Sequence, residues 1–365
     1  MTKDQELTER QENLLRLIVR EHVRTAEPVA SGTVVQNYNL GVSSATVRNE
    51  MARLEEMGYL FQPHTSAGRI PTESGFRYFV GRLMDEQALS PIEQRMIVHQ
   101  FYQAQDDIEA WMPLAASVMA QTAKGAAVVT APRSERAIYK HLELIATHGR
   151  AVLLVLVLRG GIVEQRMLAL PEPLTQQDLS EVADRLNQLC SGLTAAEIRK
   201  RSPELPQMES FILRMLLSLM EKTESLPADE IYRHGVPQLL EQPEFAEQEG
   251  TGLIRVLEET SQLRAVIADA LDPVEGVGNI RVIIGGEGRW SALRMCSLVV
   301  TRYGVADYAT GALGVLGPIR MAYGRTISVV RFVAGVLNEM VYEMYRPLVV
   351  ERPSTEGDHI ESVAA

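Results

Sequence analysis

Residues 43–71, SSATVRNEMARLEEMGYLFQPHTSAGRIP, constrain the fold more than any other stretch of the chain. Val47, Met51 and Leu54 fall at i, i+4 and i+7, which places one apolar stripe along a helix. Ser43 or Ser44 suits its N-cap, and Gly58 suits its end. Two short runs, about Tyr59–Gln62 and Gly68–Pro71, then flank a Pro/Ser/Gly turn, the pattern of a β-hairpin. Upstream, Thr8 and Gln11 have capping-box spacing, and Leu14, Leu15, Ile18 and His22 recur at helical spacing over about 9–24. Ser31 suits the cap of a short second helix that stops near Tyr38. Downstream, TESGFRYFVGRL reads as a fourth helix capped by Thr72. Helix, helix, turn, helix and hairpin is the order of a winged helix-turn-helix.

The face of the third helix opposite its apolar stripe carries Ala45, Thr46, Asn49 and Arg53, with Arg48 on the flank and no acid before Glu50. A helix that reads the major groove offers its N-terminal residues to base edges, where carboxylates would be repelled by phosphates. Hydroxyls, Arg and Asn suit that place, and Asn can pair bidentately with adenine. Ser43, Ser44, Ala45, Thr46, Arg48, Asn49 and Arg53 are therefore the expected DNA-reading set, joined by His64, Ser66 and Arg69 of the hairpin. Arg69 is expected to meet phosphate or the minor groove. The competing reading is the solvated polar face of a three-helix domain that binds protein. The whole chain has a formal net charge of −11, yet residues 1–83 hold ten Lys/Arg against ten Asp/Glu, leaving 26 against 37 in the rest. Overall acidity is thus no obstacle to a DNA-binding N-terminus.

SSATVRNEMARLEEMGYLFQPHTSAGRIPTESGFRYFV closely resembles the N-terminal region of the heat-inducible transcription repressor family HrcA, which couples an SSATIRNEM-like helix to a PHTSAGRIPT-like wing. Phe76 stands where that family commonly has Tyr. GALGVLGPIRMAYGRTISVV resembles its C-terminal signature, with Ile319 for the usual Thr and Ala322 for the usual Asp, and IYRHGVPQLLEQPEF and CSLVVTRYG look like further family blocks. The resemblance is weakest over about 191–228. It implies a winged helix, a GAF-like domain and a dimerising segment inserted into that domain. It also implies a homodimeric repressor bound to an inverted-repeat operator (CIRCE) upstream of chaperone genes of the groE and dnaK type. In that family the chaperonin maintains the active repressor, and repression lifts on heat shock. A marginally stable repressor needs to lose only roughly 1–2 kcal/mol to lose much of its active population.

Beyond the N-terminal module the residues read as an α+β body. A long helical stretch over about 90–124 is interrupted near Pro113. AAVVTAP reads as a strand, and HLELIATHGRAVLLVLVLRGGIVEQRMLAL as three antiparallel strands turning at His148–Arg150 and Arg159–Gly161. The middle one is apolar on both faces and belongs at the centre of a sheet. From Pro171 to about Leu271 the chain turns helical, and the stripe Ile212, Met215, Leu216 and Leu219 is either core or subunit contact. Strands return at NIRVIIGGE, LRMCSLVVTRYG and TGALGVLGPIRM before a last helix, giving a sheet interrupted by a helical insertion. The expected organisation is 1–85 winged helix, 86–170 linker helix and first part of the GAF-like domain, 171–230 helical dimerising insertion, 231–345 second part of the GAF-like domain, and 346–365 a tail.

Other chemistry finds little support. The two cysteines, Cys190 and Cys296, lie far apart and read as inert thiols. The seven histidines form no HxH or HExxH pattern, and His141 and His148 lack a third ligand, so no metal or other cofactor is expected. IGGEGRW lacks phosphate-loop spacing and reads as a hairpin turn. The longest apolar run, Ala151 to Leu158, is far short of the roughly 20 residues of a membrane helix, and no signal pattern opens the chain, so a soluble, cytoplasmic, non-enzymatic protein is expected. A regulator gated by a small metabolite, and an enzyme using a pocket in the GAF-like sheet, are the alternatives.

Overall fold

The computed structural model describes residues 7–38, 41–104, 108–133, 137–159, 162–201, 205–225, 230–245, 250–274, 276–285, 290–306 and 308–350. The chain divides into two compact units, one of residues 1–131, 228–303 and 311–337, the other of 132–227, 304–310 and 338–365. Mixed helix and antiparallel sheet make it an α+β protein.

The first unit opens with α1 (Glu9–Thr25), α2 (Ser31–Asn37), α3 (Ser44–Glu56), β1 (Leu60–Phe61), β2 (Ile70–Pro71) and α4 (Glu73–Tyr78), the last continuing as one π turn over Phe79–Leu83. The Thr8–Gln11 capping box starts α1 as its spacing foretells. At α2 the cap is Ala30 and no side chain bonds the helix end, so Ser31 is the first helical residue instead. Leu14, Leu15, Ile18 and Val19 of α1, Val34 of α2 and Val47, Met51 and Leu54 of α3 are each at most 3% exposed, and α3 packs on both other helices. Glu21 joins α1 to α2: its carboxylate accepts from Arg24 (2.6 Å), Asn37 (3.2 Å) and the Tyr38 hydroxyl (3.1 Å). The Arg24 bond, opposed by burial and aided by Tyr38, holds its pKa below the usual carboxylate range.

Two helices follow, α5 (Pro91–Gln103) and α6 (Ile108–Ala123). The expected break at Pro113 is misplaced: Pro113 lies inside α6, where it forgoes only one ladder bond, and the interruption comes after Gln103. A five-stranded sheet carries the rest of this unit. Its strands are β3 (Ala126–Thr130), β7 (Ile231–His234), β8 (Ile280–Ile284), β9 (Cys296–Val305) and β10 (Ala309–Pro318), in the order β7-β3-β10-β9-β8. All five residues of β3 are buried, so both faces are covered. One face joins Ala126, Val128, Leu298 and Val300 to α11 (Gly250–Glu258) and α12 (Thr260–Leu271) through Leu253, Leu257, Leu263 and Ile267. On α6, Trp111 is 4% exposed and donates its indole N–H to the Ala104 carbonyl (2.8 Å). The Tyr303 hydroxyl of β9 donates to the Thr130 carbonyl (2.6 Å). Helix α10 (Val236–Leu240) packs on β3, and α13 (Tyr323–Val350) begins where Tyr323 meets Ser297 (2.7 Å).

The second unit holds a separate three-stranded antiparallel sheet, β4 (Tyr139–His148), β5 (Ala151–Leu158) and β6 (Val163–Ala169), in that order. With it go α7 (Gln176–Cys190), α8 (Ala195–Arg201) and α9 (Gln207–Ser225). This corrects the expectation of one sheet with a helical insertion: the middle segment brings its own sheet, because β4, β5 and β6 close on each other through short connections. It also corrects the continuous helical reading from Pro171 to Leu271, which passes over β7. Alternate residues of β5, Val152, Leu154, Leu156 and Leu158, enter a core with Leu179, Leu186, Ile212 and Leu216. Leu153, Val155 and Val157 face the other way and stay half-exposed.

Candidate nucleic-acid interface

Helix α3 sits on the first two helices through Val47, Met51 and Leu54, which fixes what its other side presents. Ser43 is the cap: its hydroxyl accepts from the Thr46 amide (3.2 Å) and lies 3.0 Å from the Thr46 hydroxyl. Ser43, Ser44, Ala45, Arg48 and Asn49 are exposed, and Thr46 is half-buried. Among the described residues, the side chains of Arg48 and Asn49 make no hydrogen bond within the chain. Arg53 is exposed but paired with Glu50 (3.2 Å), which also accepts from Gln11 (3.2 Å). The sequence-derived set thus separates into a capping pair, Ser43 and Thr46, unengaged Arg48 and Asn49 in the first two turns, and a cation already paired further along.

The hairpin brings His64 and Ser66 to an exposed tip. Gly58, at φ +81°, ends α3 and lets the chain turn back into β1. A third stretch of backbone joins the hairpin: the Val29 and Arg69 amides each donate to the other's carbonyl at 2.9 Å. A Cβ at Gly68 would lie 2.4 Å from the Val29 carbonyl carbon, so this approach requires glycine. Two roles differ from expectation. Arg69 donates from Nε to Glu55 of α3 (2.9 Å) with its side chain only 12% exposed, so without DNA its guanidinium is turned toward α3. Gln62, absent from the sequence-derived set, donates to the carbonyls of Thr65 (3.1 Å) and Ala67 (2.9 Å) and so ties the tip together. Nothing local in the sequence marks a glutamine for that task.

The stripe proposed for subunit contact is elsewhere engaged. Ile212, Leu216 and Leu219 are at most 5% exposed and Met215 packs beside them, all in the core of their own sheet unit. A stripe covered by its own chain cannot also be the surface of a dimer. His141 pairs with Glu143 on an exposed strand face (2.9 Å). Cys190 and Cys296 are buried, which pushes their thiols up to about 11 and about 12 and leaves them protonated. Among the described residues no group of three His, Cys, Asp or Glu could hold a metal, and no helix is long and apolar enough to cross a membrane. Residues 286–289 of the glycine-rich IGGEGRW lie outside the described residues.

The family described as the HrcA protein C terminal domain matches residues 109–327. The heat-inducible transcription repressor HrcA of Chloroflexus aggregans is 41% identical over 96% of this chain and 96% of its own length. That of Herpetosiphon aurantiacus is 42% identical over 95% and 98%. The chain belongs to the HrcA family. Its relatives are named as transcription repressors, and the HrcA likeness spans the N-terminal helices as well as the matched C-terminal domain. A crystal structure at 2.2 Å of a protein described as hypothetical shares the fold, with a TM-score of 0.56 and 24% identity over 93% of this chain and 98% of that one.

Proposed function

We infer that this HrcA-family chain represses transcription by binding duplex DNA through residues 7–83, used as a winged helix-turn-helix. The carrying observation is α3: one face fully buried, the other offering exposed Ser44, Ala45, Arg48 and Asn49, the last two unengaged among the described residues. In the major groove those side chains reach base edges, and Asn49 suits adenine. His64 and Ser66 at the hairpin tip lie toward the adjacent backbone as the wing, and the five-stranded sheet unit serves as the GAF-like domain. The test is footprinting on the organism's own chaperone promoters, followed by gel shifts with Asn49→Ala. Protection of an inverted repeat of the CIRCE kind supports the reading, and no protection at any chaperone promoter sinks it.

An inverted repeat calls for two modules, hence a homodimer. The outer face of β4–β5–β6 is the contact this reading selects. Register sets Ile145, Leu153 and Met167 in one row and His141, Val157 and Val163 in another, and Ile145, Val163 and Met167 are 43%, 50% and 55% exposed. An apolar sheet face of that kind favours a partner over water. Maintenance of the active state by the chaperonin completes the proposal. Refolding with and without chaperonin, scored by the fraction able to shift operator DNA, decides that part.

A further inference from the structure

We propose that the Glu55–Arg69 ion pair and Gln62 are positioning residues that set the wing's shape and its angle to α3, and that operator discrimination depends on them although they touch no DNA. This rests on the DNA-binding reading above. The hairpin between Phe61 and Ile70 is long for two strands of two residues each. A hairpin so short is marginal alone. Three attachments hold it. Gln62 spans the tip by donating to Thr65 and Ala67, and the Ala67 amide donates to the His64 carbonyl (2.8 Å). Arg69 exchanges both backbone bonds with Val29. The Arg69 guanidinium then crosses to Glu55 on α3 at 2.9 Å, with 12% and 34% of the two side chains exposed. Glu55 lies two turns along the helix from Arg48 and Asn49 and on the same rigid element. The pair therefore links the element that offers base-reading groups to the element that carries His64 and Ser66. An exposed arginine meant for phosphate has no reason to be covered and neutralised by its own helix.

The two roles for Arg69 predict opposite signs. If Glu55 restrains a phosphate-seeking Arg69, freeing it strengthens binding. If the pair positions the wing, freeing it weakens specific binding only. The experiment measures the full-length protein on the footprinted inverted repeat and on a random duplex, over a range of salt, for Glu55→Gln, Arg69→Gln, Arg69→Lys, the Glu55→Gln/Arg69→Gln double variant and Gln62→Ala. Gln62→Ala carries no change of charge. Expected for Glu55→Gln, Arg69→Gln and Gln62→Ala is a roughly tenfold loss on the inverted repeat, the scale of one lost specific contact, with less than about twofold change on random DNA and an unchanged salt slope. The double variant falls no further than either single one, as a shared interaction requires. Arg69→Lys, which keeps a cation facing Glu55, retains part of the discrimination. In the free protein the Ala67 and Arg69 amides exchange faster in the variants. A role confined to stability would lower both DNAs equally and leave their ratio intact, which overturns the proposal. So does stronger operator binding by Glu55→Gln together with a salt slope reduced by about one in Arg69→Gln, or unchanged amide exchange. A wild type that does not distinguish the two duplexes overturns the DNA-binding reading itself, and the proposal with it.

Discussion

At the scale of single residues, the molecule separates groups that are free to bind from groups already in use. Arg48 and Asn49 are exposed and uncommitted, whereas Arg53, four residues after Asn49, is tied to Glu50. Asn49→Ala is expected to cost about 1–3 kcal/mol on the operator and little on random DNA, with an unchanged melting temperature. Equal loss on both DNAs counts against base readout. Glu21 allows a prediction about pH. Its folded pKa is depressed, first by Arg24, so its contribution is present above the ordinary carboxylate range and fades as pH falls through the folded value. Melts taken from neutral pH downward are expected to lose stability in that acid window, and Glu21→Gln to lose less over the same interval. Identical slopes for the two proteins would remove Glu21 from the account. The sequence exposes Asn49 because helical spacing alone sets its face. It hides the fate of Arg69, since whether a guanidinium faces a phosphate or a glutamate fourteen positions back depends on how the hairpin folds onto α3.

At the scale of elements, what repeats locally was readable and what pairs at a distance was not. Helices α1 and α3 and the β4–β5–β6 meander follow from spacing, caps and short turns. The division into two sheets does not, because β3 finds its neighbours β7 and β10 about a hundred and about two hundred residues further along. A β-strand carries no address for a partner that far away. The Ile212 stripe, which spacing left as core or subunit contact, is packed in a core, and the sequence left it open for a related reason: amphipathic spacing says that a face is buried, not by what. Leu216→Ala is accordingly expected to destabilise the β4–β5–β6 unit by about 2–5 kcal/mol in denaturant melts. A variant that unfolds like wild type but dimerises poorly would restore the interface role. Gly68→Ala is expected to break the Val29–Arg69 bridge, visible as faster exchange of both amides, since its new methyl would press on the Val29–Ala30 backbone and not on a side chain that could swing away.

At the scale of the whole molecule, the bare face of β5 is where assembly is decided in the proposed reading. Val155→Lys with Met167→Lys places charge on that face and leaves the opposite face, with Leu154 and Leu168, in its core. The expected product is a folded monomer that binds single half-sites weakly and gains nothing from a full inverted repeat, because the second module no longer arrives at high effective concentration. Sedimentation and gel shifts read both properties, and a variant that stays dimeric with normal operator affinity places the contact elsewhere. The position of the aromatic side chains bears on how any of these experiments is followed. The chain has two tryptophans, and both lie outside the first 85 residues: Trp111 on α6, and Trp290 against the core of the five-stranded sheet. Intrinsic tryptophan fluorescence therefore reports first on the sheet body, since α1–α4 carry no tryptophan of their own. The state of α1–α4 in the proposed reading is therefore counted more directly by titration with DNA or by a dye placed on the hairpin.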